Sequence, residues 1–259
     1  MVIAAAAALA AGALNAMAGG GTLLLYPALL ALGLPAVSAN LHCSVALCPG
    51  YLGAAYAQRQ ALQTQRRRLL LLAPVVFAGG VAGGWLLLYT AERAFVQLIP
   101  WLILLASLAL ATQEKLRGWL AGRMGSPGKE AARIRGSTSF VLLPMLLAAV
   151  YAGYFGAGVS VVFLAVLGLA YSDSFTPLNA SKQALALAAN AGAVLLFMAR
   201  AHVDWPLVAV LAGSALLGGF LGGRLAQRVH PASLRRVVVL LGLALAAWYF
   251  FRLPTGASL

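Results

Sequence analysis

The fold is decided by residues 153–183, GYFGAGVSVVFLAVLGLAYSDSFTPLNASKQ, which place a glycine hinge and a lone lysine inside an almost continuous apolar run. Residues 15–43, NAMAGGGTLLLYPALLALGLPAVSANLHC, present the same features in the same order. A glycine-rich break comes first, then an apolar run, then a short polar group that contains asparagine. We expect the two stretches to meet inside a lipid bilayer and to form a site for a small anion.

The composition places the whole chain in a membrane. Of 259 residues, 63% are hydrophobic and 9% are charged, and the mean hydropathy is +0.93. A soluble domain of this length cannot cover its surface with so few charges. Several segments approach the roughly 20 apolar residues that cross a bilayer core. The sequence therefore predicts an all-α, polytopic membrane protein without a separate soluble domain.

Ten apolar runs follow one another along the chain. Helices are predicted for all of them, because a segment in lipid must satisfy its own backbone hydrogen bonds. The first run has no positively charged segment before it, so it is assigned to the fold rather than to a signal peptide. The runs cover about 2–18, 22–34, 41–57, 69–90, 95–112, 138–155, 157–171, 183–199, 205–223 and 237–251.

The chain is built from two repeats. The motif GGVAGG at 79–84 matches GGFLGG at 218–223, at a separation of 139, and residues 20–22 match residues 158–160 at a separation of 138. We read both GGxxGG motifs as sites of close helix packing. We predict a first membrane repeat at 1–112, a basic linker at 113–137 and a second repeat at 138–259, each repeat with about five helical segments.

The loop charges predict that the repeats are inverted. Loops 58–68, 113–137 and 224–236 are strongly basic, and Lys and Arg mark the cytoplasmic side of short loops. The counterparts of the first and last of these, 200–204 and 90–94, carry one basic and one acidic residue each. Fourteen of the 18 Lys and Arg residues are then cytoplasmic. We expect a multi-pass protein of the cell (inner) membrane with both termini periplasmic or extracellular.

Inversion requires an odd number of crossings in each repeat. The first two segments of each repeat should therefore enter and return as a helical hairpin that is broken at glycine. Segment 22–34 is short for a full span, so the hairpin is predicted to be partly re-entrant. Inverted repeats with broken helices are the architecture of secondary transporters, whose sites lie near the middle of the membrane.

Helix N-termini are the first candidates for an anion site, because free N–H groups and the helix dipole favour negative charge there. Four helix starts are predicted, and each carries residues suited to an N-cap. The alternative is that these residues only cap and pack helices. The residues are Gly20, Gly21, Thr22, Asn40, Gly158, Ser160, Asn179 and Ser181.

Lys182 is the strongest single candidate, since a lysine within a span usually lines a cavity or pairs with another group. The alternative is that it extends to the cytoplasmic interface, toward Asp173. His42, in nearly the corresponding place, is either an anion or proton ligand or a packing histidine. Asn190 is ambiguous in the same way. Asn15 and Tyr154 flank the two hinges as further donors.

Other classes of function lack their residues. Deep inside the apolar runs there is no Asp or Glu, which disfavours a carboxylate proton relay. Nucleophile turns, HExxH and paired metal ligands are missing as well, so we expect neither an enzyme nor a metal or other cofactor. The net charge of +13 is explained by topology and lipid headgroups, so no nucleic-acid partner is expected.

The repeated motifs resemble the sulfite exporter TauE/SafE family, also called the TSUP transporters, over essentially the whole chain. The resemblance lies in AGGGTLLLYPALLALGLP and SANLHCSVALCPGYLGAAYAQR in the first half. In the second half it lies in GYFGAGVSVVFLAVLGL, NASK and ARAHVDWPLVAVLAGSALLGGFLGGRLAQRV. His42 and Lys182 depart from the family pattern, in which small hydroxylated residues are common.

The resemblance implies transport of a sulfur-containing anion such as sulfite, thiosulfate or an organosulfonate like sulfoacetate. A secondary transporter that works by alternating access is the leading hypothesis. An anion channel with the same architecture and a non-transporting membrane scaffold are the alternatives. The partners expected are the small anion and membrane lipid, with a homodimer left open.

Overall fold

A computed structural model describes residues 1–17, 20–123, 138–171, 173, 175–225 and 231–252. All the regular structure in these residues is helical, in eleven helices. They are α1 (Val2–Met17), α2 (Gly21–Ala31), α3 (Ala36–Ala57), α4 (Arg59–Gln63), α5 (Arg66–Tyr89), α6 (Glu92–Arg123), α7 (Thr138–Tyr154), α8 (Val159–Ala170), α9 (Phe175–Arg200), α10 (Trp205–Leu225) and α11 (Pro231–Arg252).

Each of the ten predicted apolar runs overlaps one of these helices, although residues 32–34 of the second run are not helical. The basic loop 58–68 additionally contains the short helix α4, and α6 continues to Arg123, so residues 113–123 of the predicted linker are helical. Residues 124–137 of that linker, 226–230 of the last basic loop, Gly19 and the C-terminal residues 253–259 lie outside the described residues.

Two of the four predicted helix starts are wrong. α2 and α8 begin at Gly21 and Val159 as expected, but α3 begins at Ala36 and α9 at Phe175, so both include a polar first turn before the apolar run. Proline explains the earlier starts, because the first turn of a helix is where a missing N–H costs least. Pro35 precedes α3, and Pro177 lies in the first turn of α9.

Two helices that follow a break are much shorter than those able to cross a membrane. Three helices contain segments that are long and apolar enough to cross a membrane, namely Arg66–Tyr89, Glu92–Leu116 and Pro177–Arg200. By contrast, α2 has 11 residues and α8 has 12. At 1.5 Å per residue these reach about 16–18 Å, roughly half of a 30 Å bilayer core. Both short helices follow a glycine-containing break.

Glycines set the closest helix crossings, as predicted for the GGxxGG motifs. A Cβ atom at Gly80 would lie 2.0 Å from the Ala189 carbonyl oxygen of α9. One at Gly83 would lie 2.0 Å from the Val150 carbonyl oxygen of α7. In the second motif, a Cβ at Gly218 would lie 1.9 Å from the Leu9 carbonyl oxygen of α1. These helices approach backbone to backbone, so no side chain larger than hydrogen fits between them.

Long-range contacts define two ends of the helix bundle. At the first, which we call the Glu92 end, the Glu92 carboxylate accepts hydrogen bonds from the N–H groups of Ala36 and Val37 at the start of α3. At the second, the Asp173 end, Asp173 forms an ion pair with Arg68 at 2.6 Å. The α2–α3 connection therefore lies at the Glu92 end, whereas the α8–α9 connection lies at the Asp173 end.

The outer surface is strongly apolar. Large hydrophobic side chains are exposed along several helices, including Leu147 at 60% and Phe220 at 58%. A soluble monomer rarely exposes so much contiguous apolar surface, whereas hydrocarbon chains cover it at no cost. The chain is a polytopic membrane protein.

Candidate functional site

A small cavity lies where the two short helices begin, and we call it the hinge cavity. Its volume is about 10 Å³, roughly the space of one water molecule. Helices α2, α3, α7, α8 and α9 and the hinge between α7 and α8 all contribute to its wall. The lining residues are Thr22, Ser44, Leu47, Tyr51, Ala152, Phe155, Gly156, Val159, Ala186 and Asn190.

The polar groups of the hinge cavity are neutral. Among the described residues that line it, the polar side chains are those of Thr22, Ser44, Tyr51 and Asn190, and none carries a charge. The Asn190 Oδ1 atom is buried and has no hydrogen-bond partner among the described residues. A buried amide oxygen without a partner is rare in proteins and calls for an explanation. A ligand or water molecule in the cavity would supply a hydrogen-bond partner for this oxygen.

Hydrogen bonds fix the positions of two polar side chains in the cavity wall, Tyr51 and Ser44. The Asn15 side chain is hydrogen-bonded to Tyr51, and the Ser44 hydroxyl donates to the Asn40 carbonyl oxygen at 3.1 Å. Both bonds fix side chains of α3 against neighbouring backbone or helix α1. The polar surface of the cavity is therefore held in place before anything binds.

The second hinge requires glycine at two positions. Gly156 and Gly158 have φ angles of +74° and +72°, in the left-handed region that side-chain-bearing residues rarely adopt. The Tyr151 hydroxyl donates to the Ala157 carbonyl oxygen at 2.7 Å and so ties α7 to the hinge. This turn lets α8 begin at Val159 beside the cavity, where the N–H groups of Val159 and Val161 donate to the carbonyl oxygens of Gly156 and Gly158.

The first hinge has a different geometry. Gly20 has a φ of −155°, outside the left-handed region that favours glycine. A Cβ atom at Gly21 would lie 2.6 Å from the Ala11 carbonyl oxygen, so α2 begins against the side of α1 and is restricted by packing. Thr22, in the first turn of α2, lines the cavity. The two hinges thus bring helix starts to one place by different means.

Lys182 lies one turn away from the hinge cavity. It shares a face of α9 with Ala186 and Asn190, which both line the cavity, since residues four apart stack on a helix. It is 5% exposed, so it does not extend to the interface, and the partner that the structure gives Asp173 is Arg68. The role of Lys182 in anion binding stays a prediction.

His42 does not line the hinge cavity. Its Nδ1 atom lies 2.7 Å from the Ser38 carbonyl oxygen, and its Nε2 atom accepts the backbone N–H of Asp204 at 3.1 Å. Both ring nitrogens are thus used, with the proton on Nδ1. The arrangement is that of the packing histidine considered as the alternative, and it ties α3 to the start of α10.

The remaining predicted residues surround the cavity without lining it. Asn40 is fully buried and donates from Nδ2 to the Tyr154 carbonyl oxygen at 2.8 Å, while Asn179 donates to Gln58 Oε1 at 2.9 Å. Ser160 is buried in the first turn of α8. Ser181 is also buried, and its hydroxyl has no hydrogen-bond partner in the described part of the chain.

Sequence reasoning missed Ser44 and Tyr51 as members of this site. A signal for Tyr51 exists, because it precedes Asn190 by 139 residues, which is the separation of the GGxxGG motifs. Leu47 and Ala186, which also line the cavity, are separated by 139 as well. Both pairs thus have the spacing of the predicted repeats. Extending the repeat register from the glycines to α3 would have identified Tyr51.

Comparison with known proteins agrees with this architecture. The family model "Sulfite exporter TauE/SafE" matches residues 4–249. The "Probable membrane transporter protein YfcA" of Escherichia coli strain K12 is 24% identical over 243 residues, which cover 93% of this chain and 86% of the relative. A "Probable membrane transporter protein" of Haemophilus influenzae is 24% identical over 249 residues, covering 92% of each chain.

No solved structure matches the chain significantly. The family match spans both repeats, both hinges and the residues that line the hinge cavity. The resemblance noted from the glycine-rich motifs is thereby confirmed, and the chain belongs to the sulfite exporter TauE/SafE family of membrane transporters.

Proposed function

We propose that the protein is a secondary transporter that carries a small anion, of the sulfite, thiosulfate or organosulfonate class, through the hinge cavity by alternating access. The observation that carries the proposal is the cavity itself. It combines the starts of two half-length helices with neutral polar side chains and an unpartnered amide. The sulfur-containing substrate rests on the name of the family.

Electrostatics favour an anion over a cation at this place. Each helix start contributes about 0.3–1 kcal/mol toward a negative charge through its dipole. The described lining residues include no carboxylate that would repel an anion or hold a cation. Lys182, about 6 Å further along the cavity-facing side of α9 at 1.5 Å per residue, adds positive potential on the path toward the Asp173 end.

The repeats are proposed to be inverted, with the cavity at their interface. The pairs Leu47 with Ala186 and Tyr51 with Asn190 support this, since equivalent residues meet where a pseudo-twofold axis would pass. The opposite placement of the α2–α3 and α8–α9 connections supports it as well. On this reading, α1–α2 and α7–α8 are two glycine-broken hairpins that enter from opposite sides and return.

Both ends of the cavity are closed, which favours a transporter over a channel. At the Glu92 end, Asn40 binds the Tyr154 carbonyl and His42 binds Asp204. At the Asp173 end, Asn179 binds Gln58 and Arg68 binds Asp173. A volume of about 10 Å³ excludes a sulfur oxyanion until the helices move apart. We propose that the two sets of contacts open in alternation.

The sidedness follows from the loop charges. The Asp173 end, with the arginines of residues 59–68, is placed in the cytoplasm, and the Glu92 end outside. The protein is then placed in the inner membrane of a bacterial cell, with both termini on the periplasmic side. A reporter fused to the C-terminus that is active only in the cytoplasm would overturn this orientation.

Flux into proteoliposomes tests the function. Saturable uptake of sulfite, thiosulfate or sulfoacetate is expected, with a KM raised roughly 10–100-fold by Tyr51→Phe combined with Asn190→Leu, because hydrogen bonds to a charged ligand are worth about 1.5–3 kcal/mol. Ser107→Ala, a buried serine outside the cavity, is the control. Flux that does not saturate would indicate a channel, and no flux of any anion would indicate a scaffold.

A further inference from the structure

A second, larger concavity lies on the outside of the bundle, near the Asp173 end. It has a volume of about 550 Å³ and lies between α4 and the first half of α5, with Ala188 of α9 at its base. The hinge cavity and its transport function do not involve it. We call it the α4–α5 groove.

One wall of the groove is a continuous stripe of α5. Its residues recur at intervals of three and four, which places them on a single helix face. The stripe begins with a charge and continues as hydrocarbon for about 12 Å at 1.5 Å per residue. It consists of Arg66, Leu69, Leu70, Ala73, Pro74 and Phe77.

The mouth of the groove is positively charged. Arg59 and Arg66 line it from opposite walls. The Arg59 guanidinium stacks over the Tyr56 ring at 4.5 Å from the ring centre and donates to the Tyr56 carbonyl oxygen at 3.4 Å, so it is held in position. Arg68, two residues after Arg66 and so on another side of α5, forms the ion pair with Asp173 instead. The arginines are thus divided between an internal ion pair and the groove.

The interior of the groove is exposed hydrocarbon. Leu70 is 66% exposed and Phe77 is 37% exposed. This pairing of a basic mouth with an apolar channel matches a ligand that has a phosphate at one end and an acyl chain at the other. Basic pockets at the ends of membrane helices bind anionic headgroups for the same electrostatic reason.

We propose that the α4–α5 groove is a binding site for one anionic phospholipid. The headgroup phosphate lies between Arg59 and Arg66, and an acyl chain follows the stripe of α5 down to Phe77. A zwitterionic lipid is disfavoured because its quaternary ammonium would be brought close to two guanidinium groups. The site would tether α4 to α5 at the Asp173 end of the bundle.

Native mass spectrometry of the purified protein in detergent tests this site, with phosphatidylglycerol and phosphatidylcholine of equal chain length as probes. Phosphatidylglycerol should bind at least tenfold more tightly to the unmodified protein. The double variant Arg59→Gln/Arg66→Gln should lose that preference. Arg93→Gln/Arg200→Gln, which removes two exposed arginines outside the groove, should keep it.

Three results would overturn the proposal. Equal binding of the two lipids would show that charge does not select the ligand, and an equal loss in the control variant would show that binding is not local. Displacement of the lipid by glycerol phosphate without acyl chains would show a free-anion site instead. If the protein forms a dimer and Leu70→Trp leaves lipid binding unchanged, the groove is a contact between subunits and the proposed lipid site is wrong.

Discussion

Residues 20–42 and residues 158–182 occupy corresponding places in the two predicted repeats, yet they are built differently. Each contains a glycine break, a half-length helix and the polar first turns of a long helix. The break before the second half-length helix depends on left-handed backbone at Gly156 and Gly158, whereas Gly20, before the first, has a negative φ. The same bend is thus produced once by backbone conformation and once by close packing.

The starts of the long helices differ in charge as well. At the start of α3, the Glu92 carboxylate occupies the N–H groups of Ala36 and Val37, and His42 has both ring nitrogens bonded. The start of α9 instead contains the buried Lys182. The positive end of α3 is thus neutralised from within the chain, whereas the first turns of α9 carry an additional positive charge.

The largest difference is expected at the hinges. Gly158→Ala should lower the free energy of unfolding by about 2 kcal/mol, because left-handed backbone costs an L-residue roughly 1–2 kcal/mol and the new Cβ would lie 3.0 Å from the Ala106 carbonyl oxygen. Gly20→Ala should cost less, since the nearest atom to its Cβ is the flexible Leu110 Cδ2 at 3.1 Å. Denaturation in mixed micelles compares the two. Equal losses would mean that the hinges are equivalent.

The next effect separates Lys182 from His42. Lys182→Gln should reduce kcat/KM for anion uptake about tenfold, which corresponds to ~1.4 kcal/mol, while Lys182→Arg should retain most of it. His42→Gln should change uptake less than twofold, because the histidine is bonded to Ser38 and Asp204 and lies outside the hinge cavity. Proteoliposome flux measures both. If the histidine variant loses transport and the lysine variant does not, the assignment of roles is reversed.

A smaller change is expected from Glu92→Gln at the start of α3. Removing the charge while keeping one acceptor oxygen should destabilise the protein by about 1 kcal/mol, the usual value of a carboxylate at a helix N-terminus. Arg93→Gln, which alters the neighbouring exposed residue, serves as the control and should have little effect. The thermal unfolding midpoint in low salt reports the difference. An unchanged midpoint would show that the Glu92 contact does not hold α3.

The smallest effect concerns the ion pair at the Asp173 end. Arg68 and Asp173 are 17% and 32% exposed, so solvent screens their attraction. A double-mutant cycle with Arg68→Gln and Asp173→Asn should give a coupling of about 0.5–1 kcal/mol. Arg68→Lys should lower the free energy of unfolding by more than this coupling energy, because the guanidinium also stacks 3.4 Å from the centre of the Tyr171 ring. A coupling near zero would show that the ion pair does not stabilise the Asp173 end, so that the hydrogen bond between Asn179 and Gln58 would hold it closed instead.

The sequence by itself determined the membrane class, the ten long or half-length helices, both breaks and the family. These properties depend on local quantities, namely the length of apolar runs and the presence of glycine, which a chain carries in any fold. The starts of α3 and α9 were misplaced for a local reason too, because a polar first turn has no hydropathy signal. Repeat spacing was also present in the sequence, and it located the glycine crossings correctly.

Only the tertiary structure decided which polar groups share a cavity. Tyr51 and Asn190 are 139 residues apart, and Glu92 reaches back to Ala36 across 56. A side chain such as His42 is a ligand or a packing residue according to whether Asp204 already occupies it. The role of such a side chain depends on how helices that are distant in sequence cross one another. Hydropathy is a property of each segment alone, so it does not predict these crossings.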